Sequence, residues 1–343
     1  MAVRELDFTV RTSIRGVTFP LAFFMSPQPL DSSSPLPLEV LRIEYIGSLG
    51  LFLGKGNVAA ALPRLRTLSF SCTAVHVSQG TDASLPPLSD FSISNGSLLV
   101  VDHNAWSPNS LDVLIQLSER LEELNLSECR LGHVPAALSA LTNLRVCYLH
   151  GVLDEGASGE QLASWQALGP LRRLQFLSIS RNALQSLPPA VAALPGLRGL
   201  HLEENGLLEL PAGAPCWGDL RELVVDWHAA LGSPAALRGA TRLTRLVLNV
   251  DSPEEPTGYV GPSEAGEHLL QALAALPGLR LVEEVRRGWR HDIDPDVAHV
   301  MWHLGRRCPD AQLGRLNGTN VGWTLSRLLA GLEHNKGLSL LQD

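Results

Sequence analysis

Leu197-Arg-Gly-Leu200-His-Leu202-Glu-Glu-Asn205-Gly-Leu207 places leucine at the first, fourth, sixth and eleventh positions and asparagine at the ninth. The same spacing stands in Leu121-Glu-Glu-Leu124-Asn-Leu126-Ser-Glu-Cys129-Arg-Leu131 and in Leu174-Gln-Phe-Leu177-Ser-Ile179-Ser-Arg-Asn182-Ala-Leu184. The motifs at 174 and 197 continue into Leu187-Pro188 and Leu210-Pro211. Slid along the chain, the template starts at residues 38, 65, 88, 121, 144, 174, 197, 220 and 243, and five of the eight steps are 23 residues. The other three, of 27, 33 and 30 residues, read as the same unit carrying insertions. A weaker unit follows at Leu279–Val285.

Alternation within the first six positions sends the leucines to one face of a short strand and the intervening residues to the other. The ninth position suits Asn or Cys, whose polar group meets backbone at the turn out of the strand. Cys129, Asn182 and Asn205 stand there, but Thr73, Gly96, Val152, His228 and Asp251 stand there in other repeats, so irregular turns are expected at those. The second half, as in Leu187-Pro-Pro-Ala-Val191-Ala-Ala-Leu194, returns the chain by a short helix or 3₁₀ turn. One unit cannot bury its own apolar face, so units must stack.

This pattern resembles the leucine-rich repeat family over roughly residues 38–285. Its 23-residue units with trailing Leu-Pro look most like plant and algal intracellular Ras-group-related repeat proteins. The resemblance implies an α/β solenoid, a horseshoe with a parallel sheet on its concave side and short helices or 3₁₀ turns on its convex side. It also implies a non-catalytic module or scaffold that binds another protein or peptide on the concave face.

Around the repeats, residues 1–37 read as an irregular N-terminal cap or a truncated first repeat, and 286–343 as a helical C-terminal cap. Val3–Arg11 already has the form of a repeat strand. Residues 26–37 are a linker by composition. Insertions fall at 99–110, at Asp154–Glu160 before a helix around Gln161–Leu168, and at Asp251–Gly258 before a helix around Glu264–Ala275. Asp294 and Pro295 open a helix running to about Arg307, and a second is expected at Gly322–Glu333.

With 343 residues, 45% of them hydrophobic and 18% charged, the chain can bury a core. Its net charge of −8 gives no global field to collect nucleic acid or anionic lipid. Five cysteines without paired short spacing point to a reducing, cytoplasmic location. Cys129 and Cys147 occupy structural positions of their repeats. A monomer is expected. A substrate-recognition subunit of an F-box-type ubiquitin ligase, its F-box absent from this chain, is the alternative.

No catalytic constellation emerges, and neither a cofactor nor a metal is expected. Gly50–Gly56 has three residues between its first two glycines and no Ser or Thr after Lys55, which excludes a phosphate loop. His299 and His303 share a helix face, but Val300 stands where a zincin carries glutamate. Asp292-Ile-Asp294-Pro-Asp296 lacks the glycine of a calcium loop and reads as a helix cap.

The functional expectation therefore rests on outward positions three, five, seven and eight of each repeat. Early repeats offer Ser69, Ser71, Ser92, Ser94, Asn95 and Asn125. The middle repeats offer Tyr148, Phe176, Arg181, His201, Glu204, Asp226 and Trp227, residue types that dominate interface energy. Phe176 and Tyr148 either contact a partner or pack on one another across strands. Phe176 and Trp227 are the expected apolar anchors. Glu222, Arg198, Arg221 and Arg245 are candidates for lateral ion pairs between repeats.

Overall fold

The computed structural model describes residues 4–10, 38–53, 64–79, 90–94, 97–102, 105–106, 121–129, 131–153, 159–251, 263–287, 295–307 and 312–313. The chain divides into two compact units, Met1–Leu184 with Pro188–Leu197, and Gln185–Leu187 with Arg198–Asp343.

In the first unit the described strands are β1 (Glu5–Val10), β2 (Val40–Leu53), β3 (Thr67–Gln79), β4 (Asp90–Ser94), β5 (Ser97–Asp102), β6 (Ala105–Trp106), β7 (Glu123–Asn125), β8 (Val146–Tyr148) and β9 (Phe176–Ser178). They pair in parallel in the order β1-β2-β3-β4-β7-β8-β9. The register follows the repeat phase: Leu41 lies opposite Leu68, then Phe91, Leu124, Cys147 and Leu177, all fourth positions. The strand expected at Val3–Arg11 is β1, in register with β2. Helices α1 (Gly159–Ala163) and α2 (Pro189–Ala192), with 3₁₀ turns at Ala136–Ala140 and Ser164–Leu168, form the return halves.

The second unit repeats the scheme. Strands β10 (Gly199–His201), β11 (Glu222–Asp226), β12 (Arg245–Asp251), β13 (Leu281–Arg287) and β14 (Gln312–Leu313) are parallel neighbours in that order. Leu200, Leu223, Leu246 and Val282 are aligned, which confirms the phase of the weak unit at Leu279. The return segments are a 3₁₀ turn at Pro215–Trp217 and helices α3 (Trp227–Leu231), α4 (Pro234–Gly239), α5 (Glu264–Ala274) and α6 (Pro295–Arg307). Proline opens several of these because its fixed φ suits the first helical turn, where no intrahelical N–H bond is needed. Ser263 caps α5 by accepting from the Gly266 N–H. The helix expected at Gly322–Glu333 lies outside the described residues.

Leu124, Leu126, Leu177, Ile179, Leu200, Leu202, Leu223, Leu246 and Leu248 are fully buried, as the alternation requires. Polar satisfaction at the turns is equally specific. Buried Asn182 accepts from the N–H groups of Val152 and Leu153, both at 2.9 Å. Its Nδ2 donates to the carbonyls of Leu149, Ile179 and Ser180. One amide thus closes its own turn and that of the preceding repeat, so Val152 at a weak ninth position still follows a regular turn. Gly151 takes φ +59°, and an added Cβ there would meet the Glu128 carboxyl carbon at 3.1 Å. Where the ninth position is Thr73, no such amide exists and β3 runs on for 13 residues. The insertion at 99–110 likewise begins in a strand: β5 lies parallel to the far half of β3 and turns back antiparallel into β6.

Leu200→Ala should cost about 2–5 kcal/mol by leaving a cavity between stacked repeats. Asn182→Ala should cost about 3 kcal/mol or more by stranding several buried backbone groups. Asn205, which is half-buried and donates to the carbonyl of its own turn at Leu202, should tolerate the same change better. Urea midpoints of the three variants decide this; equal midpoints for the two asparagine variants would show that Asn182 carries no special share.

Candidate protein-binding face

Outward positions on β8 and β9 bring two expected residues together. Tyr148 and Phe176 sit on adjacent strands with ring centroids 5.1 Å apart and planes tilted by 48°. Both are half-buried, so each ring packs on the other and still shows a face to solvent. A tilted pair at this distance has a favourable quadrupole arrangement.

Beside the pair lies a polar cluster centred on Glu128. Its Oε1 accepts from Arg181 Nη1 at 2.9 Å and lies 2.9 Å from His150 Nε2. The other ring nitrogen of His150 lies 2.8 Å from Ser180 Oγ. Arg181 is 50% exposed, so its ion pair contributes at most about 1 kcal/mol. The Glu128-His150-Ser180 order mimics a nucleophile-activating triad, but Ser180 is only 1% exposed and cannot meet a substrate carbonyl. Glu128 was not singled out in the sequence. The signal for it is register: it holds the eighth position two repeats before Arg181, which holds the same position.

In the second unit His201 Nε2 lies 3.0 Å from Glu222 Oε1, and Arg245 donates to the same oxygen. Glu222 and Arg245 are thus the lateral pair expected between repeats. Glu204 is half-buried with φ +59°.

Two expected residues are not on the exposed face. Asp226 is only 7% exposed because its carboxylate accepts from the N–H groups of Glu204 and Asn205 and from Asn249 Nδ2. It closes the turn of the preceding repeat. Trp227 is 1% exposed and begins α3. In four repeats the eighth residue, Glu128, Gly151, Arg181 or Glu204, takes positive φ and turns the chain sharply. At Trp227 a helix starts instead, after extended Asp226, and the indole enters the core. His228 at the ninth position supplies no asparagine amide for the regular turn.

Cys129, Cys147 and Cys216 are buried free thiols. Burial pushes Cys147 and Cys216 up from the ordinary 9.0 to about 12. His299 Nε2 lies 3.0 Å from Glu267 Oε2 across α5 and α6, and its ring is 4.5 Å from that of His303. Asp296 accepts from the Ser263 backbone N–H and hydroxyl, holding α6 to the start of α5. Among the described residues no three His, Cys, Asp or Glu side chains are placed to share a metal ion. No described helix is long and apolar enough to cross a membrane.

The family model described as Leucine Rich Repeat matches residues 120–141. The chain is similar to the volume-regulated anion channel subunit LRRC8E of Xenopus tropicalis, 27% identical over 196 residues, covering 53% of this chain and 22% of that protein. It is also similar to the human volume-regulated anion channel subunit LRRC8B, 37% identical over 112 residues, covering 32% of this chain and 12% of that protein. The chain thus spans about a fifth or less of the length of these relatives. Among solved structures, the mouse RP105/MD-1 complex aligns with a TM-score of 0.48 and 14% identity, covering 92% of this chain and 51% of that one. With the repeat register described above, these matches show that the chain carries leucine-rich repeats. The finer resemblance to plant and algal Ras-group repeat proteins rests on the repeat pattern alone.

Trp227→Ala should behave as a core truncation and cost about 3–5 kcal/mol. A denaturant midpoint within error of wild type would place the indole outside the core. Cys147 and Cys216 should resist alkylation at pH 8 in the folded protein and react at once in denaturant, as read by mass spectrometry of each site. Their thiols hold a proton more tightly folded than unfolded. The associated stability is therefore complete below about pH 9 and lost as pH rises towards 12.

Proposed function

We propose that this chain is a non-catalytic interaction module that binds another protein or peptide on the sheet face opposite its leucine core. Leucine-rich repeat proteins generally mediate protein–protein interaction, and stacked repeats present extended surfaces for it. The observation that carries the reading is the Tyr148–Phe176 pair, half-exposed and bordered by Arg181, Glu128 and His150. Aromatic and arginine side chains held rigidly by their neighbours make good binding anchors, because little side-chain freedom is lost on contact. His201 and Glu204 offer half-buried polar contacts on the second unit. The acidic net charge supports a protein partner over nucleic acid. The buried free thiols support a reducing, cytoplasmic setting. We propose that the chain acts there as a monomeric scaffold.

Phe176→Ala and Tyr148→Ala should each keep the wild-type fold by circular dichroism. Each should weaken capture of the partner by about 2 kcal/mol if it is an anchor. Ser69→Ala on β3 is the control, and quantitative mass spectrometry of captured proteins is the readout. Loss of a partner with the serine variant and its retention with both aromatic variants would move the binding site off this face.

A further inference from the structure

Second positions of the repeats in the second unit form a rim where each strand begins. They are Arg198, Arg221, Thr244 and Arg280 on four successive strands. The backbone joins them without a break. Arg221 N–H donates to the Arg198 carbonyl at 2.8 Å, Thr244 N–H to the Arg221 carbonyl at 2.9 Å, and Arg280 N–H to the Thr244 carbonyl at 2.9 Å. All three arginines are exposed. Among the described residues none of the three guanidinium groups has an ion-pair or hydrogen-bond partner. Two acids in the same repeats are paired elsewhere: Glu222 with His201 and Arg245, and Asp219 with Arg242. The first unit treats its rim differently, since Glu122 and Arg145 at the same repeat position pair at 3.4 Å.

Like charges on neighbouring strands repel, so Arg198 and Arg221, exposed on adjacent strands, favour an anionic ligand between them. We propose that this arginine rim docks an extended, glutamate- or aspartate-rich segment of the protein partner. The proposal rests on the interaction-module reading and adds the chemistry of the partner. Three strand steps of about 4.8 Å set Arg280 roughly 14 Å from Arg198. Carboxylates at every second residue of an extended peptide span about the same length over four residues. Guanidinium groups pair with carboxylates through two parallel hydrogen bonds each. Cations spread over this length suit distributed single charges better than one concentrated dianion.

The test uses the full chain and a fluorescein-labelled peptide of alternating glutamate and serine, with fluorescence anisotropy as the readout. Wild type should bind it, and added salt should weaken the binding. Arg198→Gln combined with Arg221→Gln should weaken it about tenfold or more. Arg238→Gln removes one exposed charge on α4, off the rim, and should change little. The glutamine version of the peptide should not bind. No binding by wild type, or an equal loss with Arg238→Gln, would overturn the proposal. So would equally tight binding of a peptide whose only anionic group is one phosphoserine. Capture of the whole partner by Phe176→Ala and Tyr148→Ala, measured separately, reads the aromatic pair. Failure at the rim with a functioning aromatic pair, or the reverse, thus separates this inference from the interaction-module reading.

Discussion

The leucines of one repeat can leave water only against the leucines of the next. That constraint organises everything else in both units. It forces the strands into parallel register, with fourth positions aligned from Leu41 through Leu177 and again from Leu200 through Val282. It also brings the turns of successive repeats close enough to share hydrogen bonds. A side chain at one turn is therefore answerable to backbone some 20 to 30 residues away in sequence, as Asn182 and Asp226 show.

Sharing at the turns has a functional consequence. Where an asparagine or a borrowed carboxylate closes the turn, the eighth residue adopts positive φ, as Arg181 and Glu204 do. At the repeats whose ninth positions are Thr73 and His228 the chain instead continues as strand, in β3, or enters a helix, at Trp227. The exposed face is thus written by the turn chemistry as well as by strand alternation. The aromatic pair and the Glu128 cluster survive on it because their repeats have regular turns.

Two surfaces of different character result. The first unit shows aromatic rings within a network of satisfied charges, a setting for apolar anchors with oriented polar contacts. The second unit leaves cations unmatched at the start of its strands, where their reach into solvent is greatest. Shape and apolar burial drive binding at the first kind of surface, whereas long-range attraction and guanidinium geometry drive it at the second.

The sequence by itself determined the repeat phase, the parallel strands and the identity of the core leucines. These depend only on a local period of alternation and on the 23-residue step, both legible without coordinates. It also marked Tyr148, Phe176, Arg181, His201 and Glu204 as facing away from that core. Tertiary structure alone decided what each outward position does. Asp226 points outward by alternation, yet its oxygens meet the Glu204 and Asn205 N–H groups of the neighbouring repeat. Trp227 points outward by the same count, yet the missing turn folds it inside. Glu128 gains its role from Arg181, 53 residues further along. For Asp226 and Glu128 the deciding partner is close in space and distant in sequence, so a local pattern carries no trace of it.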